Sequence, residues 1–415
     1  MIEGDEMQRI LYVLLGSFVL LLSGVIYAWS ILSGPIIQEF EQWSLSQISF
    51  AFTICTFMFC IGGFLRGILS SKISARLTLF FSGVMFFVGM LLTAAIQDNL
   101  LMIYGGFGVC CGLSVGLTYN TIMSVLAAWF PEKKGMVSGI LLMGFGLGSF
   151  VIGKMYQTLQ SADIMNWREL FGMFGIITGI SYLLAGIVIK EPGIQFAGDS
   201  FNNKDSYGMS AGEMIANRSF QVYFVWAILL ASSGYILLAH ANGMLNEAVP
   251  LIDAGTAATV VSLISIFNGA GRMLWGISYD KFHYRKTMWL IEIDFALCIL
   301  SLWLGIKQGN LAFMNLGYIT GGLFFAGLAA MNPACISDFF GTKYYPVNFS
   351  IINMNVLISS FGSTVAALIY DKTGSFSNVV ILLSVVWMMS VVCTFAIKKP
   401  QLNEGKTIST ETSWI

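Results

Sequence analysis

The chain has 415 residues, of which 56% are hydrophobic and 10% charged, with a mean hydropathy of +0.78 and a formal net charge of −1. Soluble domains carry about a quarter of their residues as charges, so this composition excludes an ordinary water-soluble globule. The balanced charge also excludes the basic footprint of a nucleic-acid binder.

Twelve apolar segments follow one another, each near the ~20 residues that cross about 30 Å of hydrocarbon. Their approximate cores are 10–33, 46–70, 78–97, 100–129, 136–157 and 169–189, then 220–246, 256–279, 288–306, 311–336, 347–370 and 378–397. The first run is too long for a cleavable signal and continues as a spanning helix. Between the sixth and seventh lies the one long polar stretch, rich in Gly, Asn, Asp and Ser. The expected domains are therefore 1–189 and 219–415, six segments each, joined by a linker over 190–218.

Alternate loops carry unequal positive charge. With both termini inside, fifteen Lys and Arg fall on the inner side, among them Arg9, Arg76, Lys134, Lys281, Arg285, Lys286 and Lys399. Outside fall Lys154, Arg168, Lys307 and Lys372, while Arg66 and Arg272 lie within segments. The positive-inside rule then places both termini in the cytoplasm of a cell whose plasma membrane the chain spans. The seven cysteines (Cys55, Cys60, Cys110, Cys111, Cys298, Cys335 and Cys393) all sit in apolar segments without CxxC or Cys/His spacing. They read as small buried hydrophobes, so no metal and no cofactor is expected. In the fourth segment Gly105, Gly108, Gly112 and Gly116 align on one face and suit close helix packing.

The eighth segment is the most informative. Thr259, Ser262, Ser265, Asn268 and Arg272 recur at three- and four-residue steps and share one helical face. An arginine at mid-bilayer depth costs roughly 2.5–3.5 kcal/mol on insertion scales, a cost tolerated where it faces a protein-lined or wet cavity. The alternative is a side chain that snorkels to the membrane edge near Asp280. Asp280 is eight residues on, about 12 Å along the helix, which favours the cavity. A planar guanidinium there can hold a carboxylate by two parallel hydrogen bonds. Glu292 and Asp294, near Lys281, Arg285 and Lys286 in sequence, are expected to pair with that basic cluster at a gate.

The two halves echo each other. GILSSKISAR (Gly67 to Arg76) follows the second segment and GISYDKFHYRK (Gly276 to Lys286) follows the eighth. These tight basic loops resemble the signature of the major facilitator superfamily, an all-α membrane fold of twelve helices in two pseudo-symmetric six-helix bundles. The second copy keeps the acidic residue, Asp280, and with Lys281, Arg285 and Lys286 it is the expected gating element. The first copy has Ser71 at the acidic position and Ser74 at a usual glycine. Four further blocks, SGVIYAW (Ser23 to Trp29), WFPEKKGMVSGILLMGFGLG (Trp129 to Gly148), IFNGAGRMLWGISYDK (Ile266 to Lys281) and NPACISDFFGTKYYPVNFS (Asn332 to Ser350), are similar to the oxalate–formate antiporter family, a relative of the monocarboxylate transporters.

That resemblance implies a secondary transporter working by alternating access, with Arg272 pairing to a small carboxylate. It further implies that His240, Tyr119, Asn120, Tyr27 and Phe325 line the cavity, joined by Asn268 and Asn355 on their segments. Oxalate exchangers of this kind carry a lysine where this chain has Val356, and monocarboxylate transporters an acid where it has Asn268. One permanent cation suits a monoanion of the formate, lactate or pyruvate class, because a dianion would leave a charge poorly screened at low effective dielectric. An oxalate:formate-type exchanger, with protonated His240 as second cation, is the alternative. A non-transporting carboxylate sensor is a third reading, disfavoured by the short tails and loop. An enzyme is not expected, since the segments hold no nucleophile–base pair. The expected partners are the carboxylate and the bilayer, with proton coupling left open between His240-dependent symport and exchange or uniport, and the expected state is a monomer.

Overall fold

A computed structural model of the chain describes residues 2–69, 72–130, 134–191, 208–341 and 343–400. Most of the polar linker and the loop positions Ser71 and Lys133 lie outside these residues. Among them, eleven helices are long and apolar enough to cross a bilayer. They are α1 (Met7–Glu39), α2 (Leu45–Leu69), α3 (Ala75–Ala94), α4 (Leu100–Trp129), α5 (Lys134–Ser161), α6 (Trp167–Val188) and α7 (Arg218–Ala248), then a 55-residue helix Ala254–Gln308, α10 (Leu311–Phe340), α11 (Val347–Thr373) and α12 (Phe376–Ala396). A straight helix of 55 residues would run about 80 Å, far beyond one bilayer. It is broken at His283 (φ 60°, ψ 177°), a left-handed conformation that a histidine adopts only under constraint, which divides it into α8 (254–282) and α9 (284–308). The twelve expected crossings are all present. With an even number of them, the start of α1 and the end of α12 lie on one face, here termed the terminal face, and the opposite one is the far face.

Small residues set how closely the helices approach. A Cβ added at Gly148 of α5 would lie 2.1 Å from the Leu21 carbonyl oxygen and 2.7 Å from the Gly24 Cα of α1. Backbone therefore meets backbone at that crossing, as membrane helices favour. Gly116 of α4 meets α2 in the same way, with the Phe59 carbonyl oxygen 2.1 Å from the added Cβ. Gly105, expected on the same face, points into open space instead. The reason is local: Gly105 lies within the π-helix Tyr104–Cys111, whose wider turn moves its residues off the α-helical register.

Two further interruptions fall inside membrane helices. α1 narrows to a 3₁₀ turn over Gly24–Ala28, which carries Tyr27, and α11 is interrupted at Met354 and Ser360. Outward-facing side chains such as Phe80, Phe81, Ile187, Val392 and Phe395 are exposed and apolar, as a lipid-facing surface requires.

Each bundle ties the segment after its last helix back to its signature loop. In the first, Glu191 accepts from the Ala75 N–H at 2.7 Å and pairs with Arg66 at 3.5 Å. In the second, Arg285 Nη2 donates to the Ile397 carbonyl at 2.9 Å and the Lys399 N–H to Tyr284 Oη at 3.3 Å. The carboxylate at this corner is Asp338 of α10, bonded to Lys399 Nζ at 2.5 Å and Tyr279 Oη at 3.0 Å. Asp280, with Lys281 and Lys286, is exposed.

Glu292 does not join the basic cluster. It is 1% exposed inside the second bundle, where Trp226 Nε1 (2.8 Å) and Thr394 Oγ1 (3.0 Å) donate to Oε1 and Ser390 Oγ (2.7 Å) to Oε2. A helical face, not distance along the chain, decides its partners: it ties α7, α9 and α12 together. Asp294 is buried nearby with its Oδ2 unbonded among the described residues.

Among the places where the two bundles meet are two seams, α5 against α8 and α11 against α2. In the first, Lys154 Nζ donates to the Gly255 carbonyl (2.6 Å) and to Thr259 Oγ1 (2.5 Å), and Ser149 bonds Ser265. In the second, the Asp371 carboxylate accepts from the Leu45 and Ser46 N–H groups at 3.1 and 3.0 Å, and Thr53 shares hydrogen bonds with Ser363 (3.0 Å) and Thr364 (2.7 Å). The far half of both seams is thereby closed.

Candidate functional site

The site is built around α8. Its side chains lean toward the helix N-terminus, here the far face. Arg272 follows that lean: Nη2 donates to Asn268 Oδ1, one turn back, at 3.2 Å, so the guanidinium points into the protein and away from Asp280. Its Nε is buried and has no hydrogen-bond partner among the described residues. A guanidinium has five N–H donors, and leaving them unmade in a buried place costs roughly 1–3 kcal/mol each. The group is therefore held in place and left with donor capacity to spare.

Tyrosines from both bundles lie near enough to feel its charge. Tyr27 of α1, Tyr119 of α4 and Tyr235 of α7 all interact electrostatically with Arg272. Phe145 of α5 lies edge-on to Tyr27 (5.1 Å between centroids) and Tyr119 (5.2 Å), and Phe59 lies edge-on to Tyr119 (5.4 Å). On the other side Tyr235 is edge-on to Phe325 (5.6 Å), whose ring covers the bare Cα of Gly234. Such edge-to-face pairs contribute about 0.5–1.5 kcal/mol each beyond their buried area and fix ring orientation. Next to them, on the α1/α5/α8 side, is a narrow cleft lined by Tyr27, Ser30, Ile31, Ser149, Ser262 and Ser265.

Of the residues singled out in the sequence, Tyr27, Tyr119, Asn268 and Arg272 come together here, with Phe325 one ring further out. Three sit elsewhere. Asn120 packs its amide against Gly63 of α2, and its Nδ2 reaches the Gly116 carbonyl at 3.5 Å. Asn355 lies in the interrupted part of α11, donating to the Ile352 carbonyl at 2.6 Å, with its Oδ1 buried and unbonded among the described residues. His240 is 2% exposed and bonds the Ser363 carbonyl at 2.8 Å, its ring 5.8 Å from Phe376 at the far end of α12. By helix rise His240 is about 12 Å from the far end of α7, whereas Arg272 is about 27 Å from the far end of α8. The two groups occupy different levels. Tyr235 escaped sequence reading because in a greasy helix a tyrosine next to glycine reads as packing.

A polytopic bundle pair with an arginine and tyrosines at the seam between its halves defines a membrane transporter. The chain belongs to the Major Facilitator Superfamily, whose sequence profile matches residues 13–354. It is 28% identical over 359 residues to the oxalate:formate antiporter of Oxalobacter formigenes, covering 85% of this chain and 83% of that one. It is 26% identical over 347 residues to the MFS-type transporter YhjX of Escherichia coli (81% and 82%), and 23% identical over 353 residues to monocarboxylate transporter 12-B of Danio rerio (78% and 72%). Among solved structures, a bacterial homologue of the lysosomal transporter Spinster, inward-facing and unoccupied, superposes with a TM-score of 0.72 at 14% identity, covering 94% of this chain and 95% of that one. The nucleoside transporter NupG superposes at 0.71 and 13% identity, covering 93% and 98%. These likenesses establish the fold.

Proposed function

We propose that the protein carries small monocarboxylates of the formate, lactate or pyruvate class across the cell membrane by alternating access, with Arg272 as the anchor of the carboxylate. The observation that carries this reading is the Arg272 guanidinium, held by Asn268 and short of partners at Nε among the described residues, with Tyr27, Tyr119 and Tyr235 near enough to feel its charge. One guanidinium neutralises one carboxylate. The tyrosine hydroxyls then serve the remaining oxygens, and the rings leave little room for a long substrate. The positive charge of the loops orients the terminal face, with both chain ends, toward the cytoplasm. The two six-helix units, 1–189 and 219–415, act as the rocking bodies of a monomer, with 190–218 as the link.

An oxalate:formate exchanger is the second reading, favoured by the name of the 28% identical relative. The two readings differ at Val356. Val356 lies eleven residues from Tyr345, where the helical stretch leading into α11 starts, and Arg272 eleven residues before the break at His283, so both are about 16 Å along the helix from the terminal side. Counterflow in proteoliposomes, with radiolabelled formate, lactate, pyruvate and oxalate, tests the function. Wild type is expected to prefer the monoanions, and Val356→Lys to shift preference toward oxalate by about ten-fold, most at low salt. Oxalate as the best wild-type substrate decides for exchange of the dianion.

Exchange or uniport is favoured over proton symport, because His240 lies at a different level from Arg272 and has the Ser363 carbonyl as its partner. His240→Gln, which preserves a donor to that carbonyl, is expected to keep counterflow within about two-fold of wild type and to leave pH-gradient-driven uptake unchanged. Loss of gradient-driven accumulation with counterflow intact makes His240 the coupling residue instead.

A further inference from the structure

The polar stripe of α8 has a cation at each end. At the deep end is Arg272, bonded to Asn268; at the far mouth Thr259 accepts from Lys154, a residue of α5 and so of the other bundle. Thirteen residues separate Thr259 from Arg272, about 20 Å of helix. Ser262 and Ser265 lie between them and line the narrow cleft at the seam, where Ser265 bonds Ser149. Polar side chains at three- and four-residue steps thus mark one face of α8 from the mouth to the guanidinium.

The surroundings of Lys154 are those of a cation short of an anion. Its two partners, the Gly255 carbonyl and the Thr259 hydroxyl, are neutral, and no carboxylate lies within ion-pair distance of it among the described residues. Asp253 lines the same groove, but its carboxylate is engaged by the first turn of α8. The Thr256 side chain and N–H hold the Asp253 carboxyl below its usual range. An ammonium against the N-terminal turn of a helix also faces the positive end of the helix dipole. A charge-assisted bond to a carboxylate is roughly twice as strong as one between neutral groups, so an incoming anion improves this position.

We infer that Lys154 is a second anion site, the capture point for the carboxylate at the far mouth. When α5 and α8 part, its ammonium gives up Gly255 and Thr259, takes the anion, and passes it along the α8 stripe to Arg272. This rests on the carboxylate-transport reading above.

The test is transport of formate, lactate, pyruvate and oxalate, each radiolabelled, by the full chain in proteoliposomes over a range of ionic strength. Lys154→Gln is expected to lower kcat/KM about ten-fold at low salt and to flatten its salt dependence, whereas Lys154→Arg retains both. In a passive carrier the loss must show for entry from either face. Thr364→Val breaks a cross-seam bond of the other seam, to Thr53, and leaves the cation, and is expected to keep kcat/KM within about two-fold of wild type with its salt dependence intact. Should Lys154→Gln fail to assemble, Lys154→Cys labelled with impermeant thiosulfonates replaces it: a positive adduct restores kcat/KM and a negative one lowers it. Lys154→Gln with wild-type kcat/KM and salt dependence, or Thr364→Val matching its defect, overturns the inference and leaves Lys154 a gate latch. Wild type that carries none of the four anions overturns the functional reading, and this inference with it.

Discussion

Arg272→Lys is expected to lower kcat/KM for carboxylate transport on the order of 100-fold, equivalent to about 2.7 kcal/mol, without loss of folded protein. The substitution keeps the charge and changes its shape. The arginine is fixed by Asn268 at 3.2 Å and presents a planar fork with a buried, unbonded Nε. A lysine offers a point charge on a flexible stem, with three donors that rotate and no plane to match a carboxylate. It also reaches less far toward Tyr27 and Tyr119 of the opposite bundle. Size-exclusion behaviour should match wild type, because the cation persists and few protein contacts depend on the guanidinium. Counterflow over a range of substrate concentrations separates the effects. Wild-type kinetics in the lysine variant would show that charge alone serves the anion and that the fork is dispensable.

Gly148→Val is expected to act on assembly. The added Cβ would start 2.1 Å from the Leu21 carbonyl oxygen and 2.7 Å from the Gly24 Cα, and both obstacles are backbone. A rotamer change cannot relieve the contact; α1 and α5 must separate. Overpacking of this kind typically costs about 1–3 kcal/mol, and backbone obstacles place it at the upper end. Separation also moves the Gly24–Ala28 turn that carries Tyr27, so the loss of transport should exceed the loss of folded protein. The measurement is thermal midpoint and monodisperse yield beside counterflow rate. A midpoint drop on the order of 5–10 °C is expected. An unchanged midpoint would mean the crossing is looser than its backbone distances imply.

The fold was almost wholly legible in the sequence, for a physical reason. Bilayer thickness fixes the length of each apolar run, and backbone hydrogen bonding forces each run into a helix. The irregular segments were less legible. The π-helix at Tyr104–Cys111 and the 3₁₀ turn at Gly24–Ala28 arise where glycines let a neighbouring helix decide the local pitch, and a single sequence carries no mark of the neighbour. Glu292 was misread on the same ground. Seven positions from Arg285 along the chain, it turns into the bundle toward Trp226, sixty-six residues away. At the site, periodicity found the α8 stripe and its arginine. Tyr235 and Lys154 stayed hidden: nothing in the sequence singles out the first from other tyrosines of apolar helices, and the second was one outside charge among four.

The position of the charge has a mechanical consequence. Arg272 belongs to the C-terminal half, while Tyr27, Tyr119 and Phe145 belong to the N-terminal half. An anion seated on the guanidinium would keep one half as its frame of reference throughout the cycle, and the rings of the other half would sweep past it. Transport then reads as the turning of an aromatic wall about a stationary ion.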